Sequence, residues 1–197
     1  MSSTSHEPAR RRGDTALYIL EMAAAVLERD GPAGLTTRAV CEAAGVTAPT
    51  LYHHYRDKDG LARALIERAV SEFMARKRMD RRLDDPLQDL RRGWDVALAF
   101  ALANPALYAL VAEQSRSHPA LLTDSYALLQ GRVERLQDAG LLALPVDAAT
   151  RLVWAASSGA LSLVLAGRPR REVEQTGALL FEAVVARITA SAQASGA

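Results

Sequence analysis

The stretch 35-LTTRAVCEAAGVTAPTLYHHYRDKDGL-61 decides the fold, because its pattern predicts two short helices joined by a tight turn. The first helix is predicted over Thr37–Ala44, and the hydroxyl of Thr36 or Thr37 can accept an amide hydrogen that the helix leaves free at its start. Gly45 ends this helix, since glycine tolerates the positive φ that a sharp turn needs. The stretch is therefore predicted to be a helix-turn-helix.

The second helix of the motif is predicted to follow at once, with Thr47 as its cap and Pro49 in its first turn, where a missing amide hydrogen does no harm. Leu51 and Tyr55 lie four residues apart and would face inward. The other side chains of this helix, polar and aromatic, would face outward from about two turns. A short helix with such a surface indicates contact with another molecule.

Several parts of this stretch together resemble the DNA-binding signature of the tetracycline-repressor (TetR) family. The matching segments are Thr36-Thr37-Arg38, Ala43-Ala44-Gly45-Val46, Pro49-Thr50-Leu51-Tyr52, Lys58 and Leu61. Cys41 stands where the family commonly has Ala, and Tyr55 where it often has Phe, and both are small changes at apolar positions. The resemblance implies an all-α, DNA-binding transcriptional regulator.

The resemblance also implies which residues contact DNA. Arg38 would contact a base or a phosphate, and bidentate bonding to guanine would be its most specific role. Thr37 and Lys58 match positions that hold the phosphate backbone, while Tyr52 offers a hydroxyl to phosphate and a ring to a thymine methyl group. The surface facing the major groove would consist of Ala48, Pro49, Thr50, His53 and His54.

Basic residues near the motif favour nucleic acid more than the net charge does. The formal net charge is +1, and residues 1–60 carry seven Arg or Lys against eight Asp or Glu. The positive charges nevertheless cluster where a phosphate backbone could lie, at Arg10, Arg11, Arg12, Arg38, Arg56 and Lys58. Residues 1–13 are predicted to be a disordered basic arm, which either contacts the DNA minor groove or is a solvated tail.

Helices are predicted on both sides of the motif. The preceding one runs from Asp14 to Arg29 and is stopped by Gly31-Pro32. Its apolar stripe is predicted at Leu17, Leu20, Ala24 and Leu27. The following helix, capped by Asp57 or Asp59, continues to about Met79 before the chain is broken by Asp84-Asp85-Pro86.

Residues 86–197 carry Ala and Leu at helical spacing and lack a strand pattern, so this part is predicted to be all helical. Its helices are expected at 87–103, 105–114, 119–138, 146–166 and 171–192, with Gly or Pro at each joint. The predicted organisation is a three-helix DNA-binding domain over 14–60, a connecting helix over 61–85, and a helical ligand-binding and dimerisation domain over 86–197.

The last two predicted helices favour a dimer interface. The segment 155-AASSGALSLVLAG-167 is rich in small residues that let another helix approach closely, and the final helix is apolar. Packing within the chain explains any single residue, but the pair suits a two-fold four-helix bundle. The predicted interface residues are Ala156, Gly159, Leu163, Leu180, Phe181, Val184 and Ile188. A dimer would also hold two short recognition helices about one DNA turn apart, as operator-level specificity requires.

A pocket for a small effector is expected in the same domain. Large rings and apolar residues could surround it, although such residues are more often part of a core. The predicted lining residues are Trp94, Leu98, Tyr108, Tyr126, Trp154 and Ser158. A largely apolar cavity with a few polar groups would take a small hydrophobic effector. No segment resembles the tetracycline site closely enough to predict that ligand or its magnesium.

Composition argues against other classes of protein. Hydrophobic residues make up 49% and charged residues 24%, and no apolar run approaches the ~18 residues that a membrane span needs. The N-terminus lacks the apolar core of a secretory signal, so the protein is expected in the cytoplasm. One Cys and four scattered His give no metal-ligand spacing, and His53 and His54 would point about 100° apart, so no metal or other cofactor is expected. No phosphate-binding Gly loop or activated nucleophile is evident, which argues against an enzyme.

The sequence thus predicts a homodimeric repressor that binds a palindromic operator and is released by a small, largely apolar effector. Two alternatives stay open. One is an effector-independent structural or nucleoid-associated DNA-binding protein, and the other is a transcriptional activator.

Overall fold

The computed structural model describes residues 12–79 and 83–189, apart from the side chains of residues 12–13 and 72–79. Helices account for most of these residues, and no strand occurs within the described ranges, so the predicted all-α class is confirmed. The chain divides into two compact units, Met1–Lys77 and Arg78–Ala197. The predicted basic arm lies outside the described residues, except that its last two residues already belong to the first helix.

All the predicted helices occur. The N-terminal ones are α1 (Arg12–Gly34), α2 (Thr37–Ala44), α3 (Ala48–Tyr55) and α4 (Lys58–Met79). The body contains α5 (Pro86–Ala103), α6 (Pro105–Ser117), a short 3-10 turn (Pro119–Leu122), α7 (Thr123–Asp138), α8 (Val146–Leu165) and α9 (Arg170–Thr189). Helix α6 is longer than predicted because the chain leaves helical geometry only at His118, the residue before Pro119, where proline disfavours the α conformation.

The regular part of α1 ends where the sequence predicted. Gly31 has φ 70° and ψ −177°, so it interrupts the helix, and Pro32 follows without an amide hydrogen to continue the ladder. A last short turn then leads to Leu35, which is 1% exposed. This buried leucine anchors the chain immediately before α2.

The buried face of α1 differs from the predicted stripe. The residues that pack inward are Ile19, Leu20, Ala23, Val26 and Leu27. Leu17 is 56% exposed and Ala24 is also exposed, so both were wrongly assigned to the core face. The buried face is centred on Ile19, Ala23 and Val26, and at 100° per residue Leu17 and Ala24 fall beyond its edge.

The body has one apolar core, to which α5, α7, α8 and α9 all contribute. The Trp94 ring on α5 meets the Phe181 ring on α9 edge to face, with centroids 5.4 Å apart. At Gly177 of α9 an added Cβ would lie only 2.8 Å from a methyl carbon of Leu98. Gly177 therefore allows α9 to approach α5 closely at this level of the core.

A buried acidic group also holds the body together, and no sequence pattern predicted it. Asp89 on α5 is 3% exposed, and its Oδ2 lies 2.9 Å from Nη1 of Arg135 and 3.4 Å from Nε of Arg132. Arg135 Nη2 also donates to the carbonyl oxygens of Leu83 (2.7 Å) and Asp84 (3.2 Å). The pair thus fastens the segment before α5 to α7, which is a long way along the chain. We name these residues, Leu83, Asp84, Asp89, Arg132 and Arg135, the Asp89 cluster.

Candidate nucleic-acid interface

Helix α2 forms as the sequence predicted. Thr36 is its N-cap, and its hydroxyl oxygen accepts the amide hydrogen of Ala39 at 3.2 Å. Gly45 closes the helix with φ 62°, a conformation that a side chain would disfavour. Val40 and Ala44 point into the core of the unit, which leaves the opposite side of α2 to solvent.

Helix α3 begins differently from the prediction in one respect. Thr47 is the N-cap residue, but its hydroxyl makes no capping bond to the backbone and instead lies 3.0 Å from the hydroxyl of Thr50. Pro49 occupies the first turn as predicted. Leu51 is fully buried, and the hydroxyl of half-buried Tyr55 donates to the Ala16 carbonyl oxygen of α1 at 2.5 Å. These two residues fix the inward face of α3.

The outward face of α3 presents the side chains predicted to meet DNA. Pro49 and His53 are exposed, and Tyr52 is 44% exposed although its ring is large and apolar. Thr50 and His54 are half-buried beside them, as is Ala48. The two imidazole rings stand edge to face with centroids 5.2 Å apart. Side chains of mixed polarity therefore cover one face of an eight-residue helix.

Helix α2 contributes to the same surface. The Tyr52 hydroxyl lies 3.4 Å from the Thr37 hydroxyl and donates to it, so the two predicted backbone-contacting residues are brought together. Arg38 is exposed next to Thr37. The contact between Thr37 and Tyr52 couples the orientation of α3 to the start of α2, and sequence spacing alone did not reveal it.

The cations of this surface are available for a ligand. Arg38 and Lys58 are exposed, and neither forms an ion pair with any residue in the described part of the chain. By contrast, Arg29 binds Asp30 at 2.7 Å, and this hydrogen bond lowers the pKa of the Asp30 carboxyl group. A phosphate backbone would thus meet free positive charges here. Of the other basic residues that the sequence singled out, Arg10 and Arg11 lie outside the described residues.

Both parts of the chain match models of one protein family. Residues 19–65 match the model of bacterial regulatory proteins of the tetR family, and residues 90–188 match that of the tetracyclin repressor-like C-terminal domain. The chain belongs to the tetracycline-repressor (TetR) family. It is therefore a DNA-binding transcriptional regulator and not an enzyme, with an N-terminal helix-turn-helix domain and a C-terminal helical domain, as the sequence predicted.

Solved structures share the fold of this TetR-family chain at low sequence identity. A TetR-family transcriptional regulator from Pectobacterium atrosepticum has a TM-score of 0.75 and 22% identity, covering 91% of this chain and 96% of that one. A protein of unknown function from Rhodococcus sp. RHA1 has a TM-score of 0.74 and 22% identity, with 93% and 100% covered. A TetR-family regulator from Agrobacterium tumefaciens has a TM-score of 0.71 and 21% identity, with 91% and 100% covered. No curated protein matches the chain.

The six predicted pocket residues do not form one group. Trp94 and Leu98 are 6% and 8% exposed and fill the core between α5 and α9, so their assignment to a pocket is corrected. Tyr126 and Trp154 pair edge to face on α7 and α8 at 5.3 Å, and both are half-buried. Tyr108 is half-buried, and burial raises the pKa of its hydroxyl. Ser158 faces solvent.

One open groove of about 510 Å³ runs along α5, and it involves none of the predicted pocket residues. Its lining residues are Leu83, Gln88, Arg91, Arg92, Asp95, Val96 and Ala99. Arg91 is already occupied there, since it binds Asp95 at 3.0 Å and lies 4.9 Å from the Phe181 ring centroid.

The predicted interface residues on α9 also require correction. Phe181, Val184 and Ile188 are at most 8% exposed and belong to the core of a single chain, so they are not free to contact a second copy. On α8, Gly159 is exposed, while Ala156 and Leu163 are half-buried, as is Leu180 on α9. Other apolar residues, which the sequence did not single out, are exposed on these helices. They are Leu152 (41%), Leu165 (46%) and Leu179 (66%).

Helix α8 is long and apolar enough to cross a membrane, with a mean hydropathy of 1.3, which revises the expectation that no segment approaches that length. Helices α5 and α6 meet the same criterion only together, and they are bent by 107°. Helix α8 places Val153 and Ala160 in the body core and lies within the matched C-terminal family domain. It is a core helix whose apolar residues pack against α7 and α9.

Proposed function

We propose that this TetR-family regulator is a cytoplasmic homodimeric repressor that binds a roughly palindromic operator and is released by a small, largely apolar effector. The observation that carries the proposal is the exposed face of α3, flanked by the unpaired cations Arg38 and Lys58. A helix of eight residues can contact only a few base pairs, so specificity at the level of an operator needs two copies. Two copies would bind half-sites about 34–36 Å apart.

The exposed apolar residues of α8 and α9 support dimerisation. Leu152, Ala155 and Gly159 recur at three- and four-residue spacing, so they share one face of α8. Leu179 is 66% exposed on the neighbouring helix α9, although a leucine in water forgoes about 1.5–3 kcal/mol of burial. Gly159 has nothing within 4 Å of an added Cβ, so another helix could approach there. We infer that a second copy covers this surface through the same two helices.

For the effector, the half-buried pair Tyr126 and Trp154 is the best-supported starting point. The two rings already contact each other and retain surface that a flat or aliphatic molecule could cover. Tyr108, whose hydroxyl is half-buried, offers a polar group in the same domain. We propose that the predicted connecting helix over 61–85 transmits effector binding to the DNA-binding domain over 14–60.

Selection of bound fragments from the protein's own genome tests the function. A palindrome upstream of its own gene or of a neighbouring gene, bound by the dimer, would support a local repressor. Transcription from that promoter should then fall when the protein is added to purified polymerase. Hundreds of dispersed sites would instead support the structural alternative, and increased transcription would support an activator.

Effector release has a separate test, because coupling between two ligands is reciprocal. A released repressor should bind its effector more weakly when operator is present, by the same factor as the effector weakens operator binding, which is usually about 5–150-fold. Equal effector affinity with and without operator would remove this part of the proposal.

A further inference from the structure

The joint between α3 and α4 holds an arginine in a strained backbone conformation. Arg56 has φ 64° and ψ −52°, and it is the one residue other than glycine with positive φ in the part of the chain that the structure describes. The amide of Asp57 donates to the Tyr55 carbonyl oxygen at 2.7 Å, two residues back. Arg56 is thus the central residue of a γ-turn with positive φ, a rare and strained form.

The residues around this turn are adapted to it. Asp57 caps α4 by accepting the amide hydrogen of Gly60 at 2.6 Å. An added Cβ on Gly60 would collide with the Tyr55 carbonyl oxygen, so that position requires glycine. Glycine therefore stands where the turn leaves no space, whereas the strained position itself, which glycine would relieve, carries an arginine. Backbone strain of this kind persists mainly where a side chain has a function.

The Arg56 side chain has the properties of a DNA contact. It is exposed, it forms no ion pair within residues 12–79 and 83–189, and it lies between the end of α3 and Lys58. We propose that Arg56 is a further phosphate-contacting residue, and that the γ-turn directs its guanidinium group beside the recognition helix. This inference rests on DNA binding through α3. It adds a sequence-independent contact to those implied by the family resemblance.

Salt-dependent binding to DNA tests the assignment. The full-length protein and its variants Arg56→Gln, Arg56→Lys and Arg56→Gly would be titrated with a fluorescent random-sequence duplex of ~30 base pairs at several salt concentrations. For each Arg56 that contacts phosphate, Arg56→Gln should reduce the slope of log K against log salt by about 0.9, and affinity at 0.1 M salt by about 8-fold. Arg56→Lys keeps the charge and should retain the slope.

Arg56→Gly separates the charge from the strain. It should lose the same slope as Arg56→Gln while its melting temperature stays equal to or above that of the natural protein, because glycine accepts the turn. Arg116→Gln is the matched control, since Arg116 is exposed on α6 and forms no ion pair among the described residues. It should leave both the slope and the melting temperature unchanged.

Two results would overturn the inference alone. The first is an unchanged slope in Arg56→Gln while the natural protein binds the duplex. The second is an equal loss of slope in Arg56→Lys and Arg56→Gln, which would assign the effect to the turn and not to the charge. If the natural protein binds neither this duplex nor genomic fragments, the proposed function fails as well.

Discussion

Replacing Asp89 with alanine should destabilise the body by much more than the removal of one small side chain suggests. The carboxylate is 3% exposed and faces Arg135 at 2.9 Å and Arg132 at 3.4 Å. Without it, two cations would be left in the protein interior with no counter-charge, a change that costs about 3–5 kcal/mol in fully buried pairs. The two arginine side chains are 24% and 19% exposed, so water offsets part of that cost. We therefore expect Asp89→Ala to lose about 2–4 kcal/mol.

Urea and thermal unfolding followed by tryptophan fluorescence would measure the effect, because Trp94 and Trp154 both belong to the body. In a chain of this length a loss of 1 kcal/mol lowers the melting temperature by about 2–4 °C, so the expected decrease is roughly 4–16 °C. Asp95→Ala is the control. Asp95 lies on the same helix and pairs with Arg91, but its side chain is 54% exposed, so its removal should change stability by at most about 0.5 kcal/mol.

A double-mutant cycle would identify the interaction responsible. If the loss arises from the ion pair, Asp89→Ala should cost less in an Arg135→Met background, because one of the uncompensated cations is already gone. Arg135→Met would itself remove the hydrogen bonds to Leu83 and Asp84. Equal unfolding midpoints for Asp89→Ala and Asp95→Ala would refute the reasoning, since the buried carboxylate would then contribute no more than an exposed one.

Other parts of the molecule give further expectations. Arg38→Ala should cost about 1–3 kcal/mol of operator affinity and relax sequence preference, whereas Lys58→Ala should weaken all duplexes alike and flatten the salt dependence; fluorescence titration decides, and normal affinity in both would exclude this docking surface. Leu152→Glu with Leu179→Glu should give folded monomers by sedimentation velocity, because both residues are exposed in one chain; persistent dimers would place the interface elsewhere. Burial raises the pKa of Tyr55 more than nearby Arg68 lowers it, so its contribution to stability is full below about pH 10 and lost above it; Tyr55→Phe should reduce the alkaline loss in pH-dependent unfolding, and an unchanged loss would assign it to other groups.

The helix-turn-helix could be predicted from sequence because its determinants are local. Gly45 has the positive φ that its position in the turn required, and Pro49 lies in the first turn of α3 as expected. The phase of α1 could not be fixed in the same way. Its apolar residues cover more than half of the helix circumference, and only packing against the motif selects Ile19 and Ala23 over Leu17.

Contacts that depend on tertiary packing were beyond the sequence. Both sides of α9 carry leucine, valine or phenylalanine, so spacing alone could not tell that Phe181 and Ile188 complete the chain's own core while Leu179 faces outward. The Asp89 cluster joins residues 46 positions apart along the chain, and an aspartate in the first turn of a helix is an ordinary capping residue by pattern. Its burial appears only when α7 lies against α5.

The distribution of paired and unpaired charges explains how a nearly neutral N-terminal part can bind DNA. Residues 1–60 hold seven basic and eight acidic residues, which by itself argues against attraction to phosphate. In the structure, however, Asp30 is bound by Arg29, Glu21 lies 3.9 Å from Arg68, and Asp57 caps α4. Electrostatic attraction acts over about 8 Å at physiological salt, so a phosphate group responds to the nearest charges and not to the sum over the domain. The unpaired cations on either side of α3 therefore determine the local field that DNA would meet, and substitutions there should alter affinity far more than equal changes of charge elsewhere.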